Sequence, residues 1–577
     1  MLTLFRRLRP FRSLIVVVCL LAFGQSLANL WLPRLMADIV DQGIVRGDTA
    51  RILSIGAEML VIAMLGTVCA VASSFVSARV AIGFGRAVRA AVFERVSHFS
   101  VHQFDQFSTA SLITRTTNDT TQVQQMLVAL LNMVITAPMM AIGGVVLALS
   151  QDATLARVLI AVIPIMAVVF LTILQRALPL FSVMQQKVDR LNLVLAEGIS
   201  GVRIVRAFDQ GDVQHARFDA ANASVTDTAL SVNRLVALLM PSMFLMLNLT
   251  SIAIIWVGGG RIDEGTMEVG VMVSSLQYSM QILFAVFMVT ALFVMFPRAA
   301  ASAARINEVL AVEPEIVGHQ TSVASASTTR GGGVVFEDVS FQYPGAEEPA
   351  LAGVSFAAAA GQTTAIVGGT GAGKSTLVGL IPRLFDPKHG RVMLDGVDIR
   401  SLSLTELRGL VGLVPQKALL FAGTIADNIR YGREAASDEE VRHAARVAQA
   451  EDFVLAMPDG YQSAVAQGGT NLSGGQKQRL SIARAVVRRP AVYVFDDSFS
   501  ALDVATDARV RAALRDETRE ATVIVVAQRI TTAMAADRIV VLDAGAVVGI
   551  GTHQELLGSC GVYQEIVASQ LTREEVA

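Results

Sequence analysis

The sequence predicts a multidomain membrane protein, in which an all-α domain of six transmembrane helices is fused to an α/β domain of the P-loop type. Three features carry this prediction: long apolar runs in the first 300 residues, short β-rich runs beyond residue 334, and the pattern GGTGAGKS at residues 368–375. Hydrophobic residues make up 53% of the 577 residues and charged residues 17%, whereas soluble domains carry about 25% charged residues. The apolar excess therefore indicates a chain embedded in a membrane.

Six apolar segments are each long enough to supply the roughly 20 residues that cross a bilayer. They lie near residues 14–36, 52–78, 125–150, 155–180, 233–257 and 269–297. The first run continues to about residue 36 without a small-residue cleavage site, which favours a retained helix over a cleaved signal peptide.

The gaps after the second and fourth segments run to about fifty residues and keep helical periodicity. At 1.5 Å per residue, each gap forms two helical arms of about 25 residues that reach roughly 37 Å beyond the bilayer.

Positive charge concentrates on the side of the membrane that holds the N-terminus and these two gaps. The basic residues there are Arg6, Arg7, Arg9, Arg12, Arg79, Arg86, Arg89, Arg95, Arg115, Lys187, Arg190, Arg203, Arg206 and Arg217. The opposite side has Arg46, Arg51 and Arg261. Because positive loops stay in the cytoplasm, we expect a multi-pass protein of the cell membrane whose N-terminus, arms and second domain are cytoplasmic.

A small, polar, glycine-rich stretch, HQTSVASASTTRGGG, marks a domain boundary. The sequence thus divides into a transmembrane domain at residues 1–318, a linker at 319–333 and a second domain at 334–577. In the second domain, runs such as AVYVFDD and ATVIVVAQ alternate with helical stretches. This alternation predicts an α/β fold with a largely parallel sheet.

The phosphate-loop pattern directly follows the β-rich run TTAIV. In this motif, glycines let main-chain N–H groups surround phosphates, the lysine reaches the β- and γ-phosphates, and the hydroxyl binds Mg²⁺. Lys374 and Ser375 fill these positions, and Asp496, at the end of a hydrophobic strand, supplies the acid that holds the metal. A chance match is the alternative, but the strand before the motif and the helix-like stretch after it argue against this. The second domain is therefore predicted to hydrolyse ATP or GTP.

The segment LSGGQ at residues 472–476 opens a helix, where Ser473 can cap the first turn and the N-terminus favours an anion. A merely capped helix accounts for Ser473 alone. It does not account for Gly-Gly-Gln before a basic amphipathic helix.

With LSGGQ and a P-loop in one chain, the sequence resembles an ABC half-transporter of the exporter type over essentially its whole length. The resemblance implies ATP and Mg²⁺ as cofactors. It also implies that two halves pair, so that each ATP lies between one chain's P-loop and the other chain's LSGGQ. By the same resemblance, Tyr343 stacks on adenine, Gln416 contacts Mg²⁺ and senses the membrane domain, and Asp503 lies in a loop that crosses to the partner. The coupling helices at the tips of the arms would lie near residues 104–112 and 209–217.

The candidate residues fall into three groups. Those expected to bind the nucleotide are Tyr343, Gly368, Gly369, Thr370, Gly371, Ala372, Gly373, Lys374, Ser375, Thr376, Leu472, Ser473, Gly474, Gly475, Gln476 and Asp503. The candidate metal ligands are Ser375, Gln416 and Asp496, and the candidate catalytic residues are Asp497, Gln528 and Gln416.

Two candidate catalytic residues depart from the pattern that the resemblance implies. Asp497 stands where the family usually has a glutamate that polarises the attacking water, and Gln528 stands in place of the switch histidine. The shorter carboxylate falls about 1 Å short, which can cost on the order of a hundredfold in rate. Glutamine lacks the charge of a protonated imidazole. These changes indicate a heterodimer in which the partner, a second ABC half-transporter, carries the glutamate and the histidine. A homodimer with two slow sites is the alternative.

The substrate is expected to be a hydrophobic or amphipathic compound, a drug-like molecule or a lipid, because no fixed charge lies deep in segments three to six. Ser274, Gln277, Tyr278 and Gln281 form a polar helical face. This face either lines a cavity or bonds to another helix. An importer of siderophores or lipids and an ATP-gated channel or regulator remain alternatives. The net charge of −2 argues against a nucleic-acid partner, so membrane lipids and the substrate are the other expected partners.

Overall fold

The computed structural model describes residues 2–316, 318 and 331–570, which divide into two compact units. The first unit comprises Met1–Val96 and Thr109–Val312, and the second comprises Ser97–Ser108 and Glu313–Ala577. Most of the linker predicted at 319–333 lies outside the described residues, and the first strand begins at Val334.

The part of the chain before residue 312 is helical. Its helices are α1 (Leu2–Phe5), α2 (Arg12–Asp38), α3 (Thr49–Ser97), α4 (Val101–Phe107), α5 (Thr109–Thr114), α6 (Thr120–Gln151), α7 (Ala153–Ser200), α8 (Val202–Ala207), α9 (Gly211–Ala237), α10 (Leu239–Asp263) and α11 (Val269–Ala311). Six stretches are long and apolar enough to cross a membrane: Thr3–Ile44, Thr49–Ser97, Thr109–Gln151, Ala153–Ser200, Gly211–Asp263 and Val269–Val289. The six transmembrane segments predicted from the sequence are thereby confirmed.

The two long gaps are helical arms, each interrupted where one residue takes a positive φ. Ser108, with φ of 55°, separates α4 from α5, and Asp209, with φ of 53°, separates α8 from α9. Neither predicted coupling-helix range is therefore a single helix. Residues 104–112 span the end of α4 and the start of α5, and residues 209–217 begin in the turn after α8.

The polar face of α11 bonds to neighbouring helices. The Tyr278 hydroxyl donates to the carbonyl of Leu30 at 3.0 Å, and Gln281 Nε2 donates to the carbonyl of Asn29 at 3.0 Å. The Ser274 hydroxyl donates to Gln151 at the end of α6. Of the two interpretations of this face, the structure favours helix–helix bonding for these three residues.

The second unit combines strands and shorter helices. Its strands are β1 (Val334–Phe341), β2 (Leu351–Ala358), β3 (Thr363–Gly368), β4 (His389–Leu394), β5 (Val397–Asp398), β6 (Val411–Val414), β7 (Gly423–Thr424), β8 (Ala464–Val465), β9 (Val492–Asp496), β10 (Thr522–Val526), β11 (Arg538–Asp543) and β12 (Ala546–Gly551). Its helices are α12 (Lys374–Leu380), α13 (Leu404–Leu410), α14 (Ile425–Arg430), α15 (Asp438–Val447), α16 (Glu451–Leu455), α17 (Gly474–Arg488), α18 (Val504–Glu517), α19 (Ile530–Met534), α20 (His553–Ser559) and α21 (Gly561–Gln570).

The central sheet has the order β12-β11-β3-β10-β9-β6 and is parallel except for β12. A four-stranded antiparallel sheet, β2-β1-β4-β5, packs against it through a shared apolar core. Strands β9 and β10 are almost wholly buried, as expected for apolar runs in a parallel sheet covered on both faces. The predicted α/β fold with a largely parallel sheet is confirmed.

Candidate functional site

The sheet order brings four predicted segments to one edge. Strands β3, β10, β9 and β6 are consecutive neighbours and parallel. Their carboxyl ends lead into the P-loop, Gln528, the two aspartates and Gln416, respectively. Ligands of open parallel sheets bind at this edge, so the fold gathers segments that lie up to 160 residues apart in the chain.

The P-loop takes a conformation that depends on glycine. Gly371 and Gly373 have φ of 84° and 92°, and a Cβ on Gly373 would lie 2.5 Å from the carbonyl oxygen of Ala350. The Lys374 ammonium donates to the carbonyls of Gly368 at 2.9 Å and Gly369 at 2.6 Å. Burial lowers the pKa of Lys374, with Asp497 and Asp496 acting in the opposite direction.

Ser375 and Asp496 form an oxygen pair beside this loop. The Ser375 hydroxyl donates to Asp496 Oδ1 at 3.0 Å. Burial raises the pKa of Asp496, the Ser375 hydrogen bond lowers it, and the neighbouring Asp497 raises it further. A hydroxyl and a carboxylate are oxygen ligands of the kind that Mg²⁺ prefers. A divalent cation would offset the electrostatic cost of ionising Asp496, so the residues present fit the predicted metal.

Asp497 sits in a strained and enclosed position next to Asp496. Its φ is 47°, its main-chain N–H donates to the carbonyl of Val526 at 3.2 Å, and its exposed fraction is 8%. Gln416 Nε2 donates to Asp497 Oδ2 at 3.1 Å. The structure therefore brings together two of the predicted catalytic residues. The third, Gln528, follows β10 with an exposed side chain.

Tyr343 contacts the first turn of the P-loop helix. Its hydroxyl shares a hydrogen bond with Thr376 at 2.9 Å, and its ring meets Phe341 and Phe385 edge-on at centroid distances of 4.9 and 5.6 Å. The ring lines a cavity of about 450 Å³ together with Phe385 and Lys388. The predicted adenine-binding residue is thus 37% exposed and held in place by the P-loop helix and two aromatic rings.

LSGGQ begins a capped helix, as its sequence predicts. Ser473 Oγ accepts from the Gln476 N–H at 3.3 Å, and Gln476 Oε1 accepts from the Ser473 N–H at 2.9 Å. Leu472 is buried, whereas Gly474 has open space around a Cβ position. Among the described residues, no hydrogen bond joins residues 472–476 to residues 368–376. The structure of one chain therefore does not bring LSGGQ onto its own P-loop.

Asp503 caps α18, because its carboxylate accepts from the Thr506 N–H at 2.9 Å. This backbone hydrogen bond lowers the pKa of Asp503.

Three residues that the sequence interpretation missed hold this edge together. Ser498, fully buried, donates to the carbonyl of Val414 at 2.8 Å, two residues before Gln416. Ser500 donates to the carbonyl of Asp497 at 3.0 Å, and Arg529 Nη2 donates to the carbonyl of Ser500 at 3.3 Å. The only sequence signal for the serines is their position, as small polar residues directly after a buried strand.

The sequence and the fold both match known proteins. Residues 15–286 match the family described as ABC transporter transmembrane region, and residues 351–500 match the family described as ABC transporter. An uncharacterized ABC transporter ATP-binding protein of Mycobacterium tuberculosis is 45% identical, covering 98% of this chain and 97% of its own length. An ATP-dependent lipid A-core flippase of Chromobacterium violaceum is 31% identical, covering 94% of this chain and 92% of its own length.

The solved structure of a bacterial Atm1-family ABC exporter with ATP bound superposes with a TM-score of 0.81 at 28% identity, covering 97% of this chain and 99% of its own. This likeness extends over both units of the chain. The chain belongs to the ABC transporter family, as an exporter-type half-transporter with one membrane domain and one ABC ATPase domain.

Proposed function

We propose that this chain is the weakly hydrolysing subunit of a heterodimeric ABC exporter of the cell membrane, which uses ATP to move a hydrophobic or amphipathic compound. The observation that carries the proposal is the pair of Asp497 and Gln528 in an otherwise complete site. Every residue expected to hold the nucleotide is present, whereas both residues expected to act on the γ-phosphate are altered.

The binding half of the site supports ATP and Mg²⁺ as cofactors. Lys374 and the P-loop amides would hold the phosphates, and Tyr343 would stack on the base. Ser375, Asp496 and Gln416 would hold Mg²⁺, which neutralises charge on the phosphate oxygens when bound. Lys374 is engaged with loop carbonyls in this structure, so phosphate would replace these acceptors.

The catalytic half supports slow hydrolysis. Asp497 is one methylene shorter than glutamate, and its carboxylate is held by Gln416 at 3.1 Å. A displacement of about 1 Å can cost on the order of a hundredfold in rate. Gln528 can donate a hydrogen bond but carries no charge, which removes electrostatic stabilisation of the transferring phosphoryl group.

The intact LSGGQ supports a partner with a stronger site. Ser473 uses its oxygen to accept the capping bond and keeps its O–H as a donor. Gly474, the first residue of the helix, leaves the helix start open to a bound anion. This segment is therefore suited to complete the site of a second half-transporter that supplies the glutamate and the histidine.

An amphipathic substrate is supported by the apolar membrane segments and by the related flippase. Positive charge on the arms and the N-terminus supports a cytoplasmic location for both, and for the ATPase domain, by the positive-inside rule. Export would then run outward from that side.

The test is to express the chain alone in lipid nanodiscs and to measure particle mass and ATP turnover. We expect low turnover, and in particles whose mass is that of a dimer we expect the double substitution Asp497→Glu/Gln528→His to raise it about tenfold or more. Asp516→Glu, the same exchange on the surface of α18, is the matched control. Brisk turnover by a native homodimer would overturn the proposal, as would a doubly substituted chain that is dimeric by particle mass and gains no turnover.

A further inference from the structure

The last residue of α21 contacts the main chain on both sides of Arg529. Gln570 Nε2 donates to the carbonyl of Gln528 at 2.8 Å, and Gln570 Oε1 accepts from the N–H of Ile530 at 2.8 Å. One side-chain amide thereby uses both its donor and its acceptor on a three-residue segment. That segment begins with the residue in the switch position.

The helix that carries Gln570 packs on the central sheet through buried side chains. Tyr563 and Val567 on α21 are 0% and 2% exposed, and they belong to an apolar cluster with Val367 of β3 and Val541 of β11. The Tyr563 hydroxyl is also bonded to His553 Nδ1 at 2.7 Å. Gln570 itself is exposed, so its side chain contributes hydrogen bonds and little buried area.

The segment that Gln570 holds is otherwise extended and lightly bonded. Arg529 has φ of −90° and ψ of 127°, and Ile530 starts α19, where main-chain N–H groups lack helical partners. The carbonyl of Gln528 comes just after β10 ends at Val526. Because these groups lie at an element boundary, either water or a side chain can be their partner, and only a side chain fixes their direction.

We propose that Gln570 is a positioning residue for hydrolysis, which sets the main-chain direction at residues 528–530 and so aims the Gln528 side chain at the phosphate site. The proposal rests on the proposed function, in that Gln528 is taken to act on the γ-phosphate. Gln570 anchors this segment to a helix packed on β3, the strand that ends in the P-loop. The positions of the switch residue and of the phosphate loop are therefore both fixed relative to β3.

This arrangement has a kinetic signature. Removing the Gln570 amide leaves Lys374, Ser375 and Tyr343 untouched, so the affinity for ATP should be kept. Water can replace the two lost hydrogen bonds at this exposed site, so the fold should also be kept. What is lost is the single orientation of Gln528, which lowers kcat and not KM.

The experiment compares Gln570→Ala with Gln564→Ala in the full chain in nanodiscs, in both the native and the Asp497→Glu/Gln528→His backgrounds. Gln564 lies on the same helix, and its amide donates to the carbonyl of Leu557 at 2.7 Å, which is outside residues 528–530. We expect Gln570→Ala to lower kcat about fivefold or more, as loss of one or two hydrogen bonds allows, with KM within about twofold. Gln564→Ala should change neither constant.

Hydrogen–deuterium exchange separates positioning from anchoring. In Gln570→Ala, uptake should rise in peptides covering residues 527–534 and stay unchanged in β3 and β11. Faster exchange in β3 and β11 as well would show that Gln570 merely anchors α21, and would overturn the proposal. An unchanged kcat, or an equal loss in Gln564→Ala, would overturn it too.

The two proposals fail separately. If Asp497→Glu/Gln528→His does not raise turnover in dimeric particles, the weak-site proposal falls, and Gln570 is judged on the native chain. There, a lower kcat at unchanged KM with local exchange at 527–534 supports the positioning role. If the doubly substituted chain gains turnover and Gln570→Ala changes nothing, only the positioning role falls.

Discussion

Asp496 and Asp497 are neighbours in the chain but have different partners. Asp496 ends β9 and faces the P-loop through the Ser375 hydroxyl. Asp497 has left the strand in a left-handed conformation, which directs its carboxylate to Gln416. Aspartate enters this conformation more readily than most residues. The positive φ of Asp497 therefore points the two neighbouring acids at different partners. Asp496 is placed to bind the metal, and Asp497 is placed to polarise water but has the shorter side chain.

The first prediction at the residue scale concerns the ionisation of Asp496. Its pKa is raised from 3.8, chiefly by burial. A carboxyl with a raised pKa binds its proton more tightly in the folded state, so its ionised form lowers stability above that pKa, and this loss disappears below about 3.8. We therefore expect Asp496→Asn to raise the thermal midpoint of the nucleotide-free chain in EDTA at pH 8. The gain should shrink as the pH falls through the raised pKa towards 3.8.

The same substitution should remove the effect of Mg²⁺. The native chain should gain thermal stability when Mg²⁺ and ATP are added together, and Asp496→Asn should gain less. Asp516→Asn, a surface carboxylate on α18 that is paired with Arg519, controls for the removal of one negative charge. A midpoint for Asp496→Asn below that of the native chain at pH 8 would contradict the predicted sign.

At the scale of elements, the contact between α2 and α11 compensates for a proline. Pro33 has no N–H to donate to the carbonyl of Asn29, four residues earlier in α2. Gln281 on α11 supplies that donor at 3.0 Å, and Tyr278, one turn earlier, donates to Leu30. In a membrane, a carbonyl without a hydrogen-bond donor raises the free energy of the folded state. The Gln281 side chain supplies the donor that Pro33 lacks and so offsets this cost.

This compensation predicts a coupled pair of substitutions. Gln281→Leu leaves the Asn29 carbonyl without a donor in the native chain. In the Pro33→Ala chain, the main-chain N–H at position 33 supplies one. We expect Gln281→Leu to lower the free energy of unfolding by about 1 kcal/mol more in the native chain than in the Pro33→Ala chain. For a unit of roughly 300 residues, this is about 1–2 °C in thermal midpoint.

Tyr278→Phe is the matched control, because it removes a donor to Leu30, whose carbonyl keeps its helical partner at Arg34. Its effect should be the same in both backgrounds. If Gln281→Leu and Pro33→Ala are additive, the proline and the glutamine are independent, and the proposed compensation is wrong.

At the scale of the whole molecule, the features that could be predicted are those that depend on short stretches of sequence. Apolar length predicted six membrane helices, and the motifs singled out Gln416, Asp496 and Asp497. The motifs did not predict that Gln416 bonds to Asp497, because that contact depends on the order of the strands in the sheet.

The remaining features depend on tertiary contacts. The polar face of α11 was ambiguous, because a helical pattern does not show what lies opposite, and here a proline on α2 provides the acceptor. The break at Asp209 was missed, since a left-handed aspartate leaves no strong sequence signal. Gln570 was missed for a similar reason: it is 42 residues from the segment that it holds.

The last prediction concerns the division of labour between two chains. If this chain holds the weak site and completes the strong site of its partner, its own motifs should be unequal in importance. Ser473 would serve the strong site through its O–H, whereas Lys374 would serve the weak one. In the assembled heterodimer, we expect Ser473→Ala to lower turnover about tenfold or more, as loss of a hydrogen bond to a charged group allows. Lys374→Ala should keep most of the turnover.

Ser437→Ala provides the control for the helix cap, because Ser437 caps α15 with a capping box of the same kind. Both serine substitutions should cost about 1 kcal/mol of local stability, so a difference in turnover between them isolates the contribution of Ser473 to the nucleotide site. Equal losses from Ser473→Ala and Lys374→Ala would mean that both sites of the assembly are equivalent. That is the behaviour of a homodimer, and it would remove the basis for assigning the stronger site to a partner.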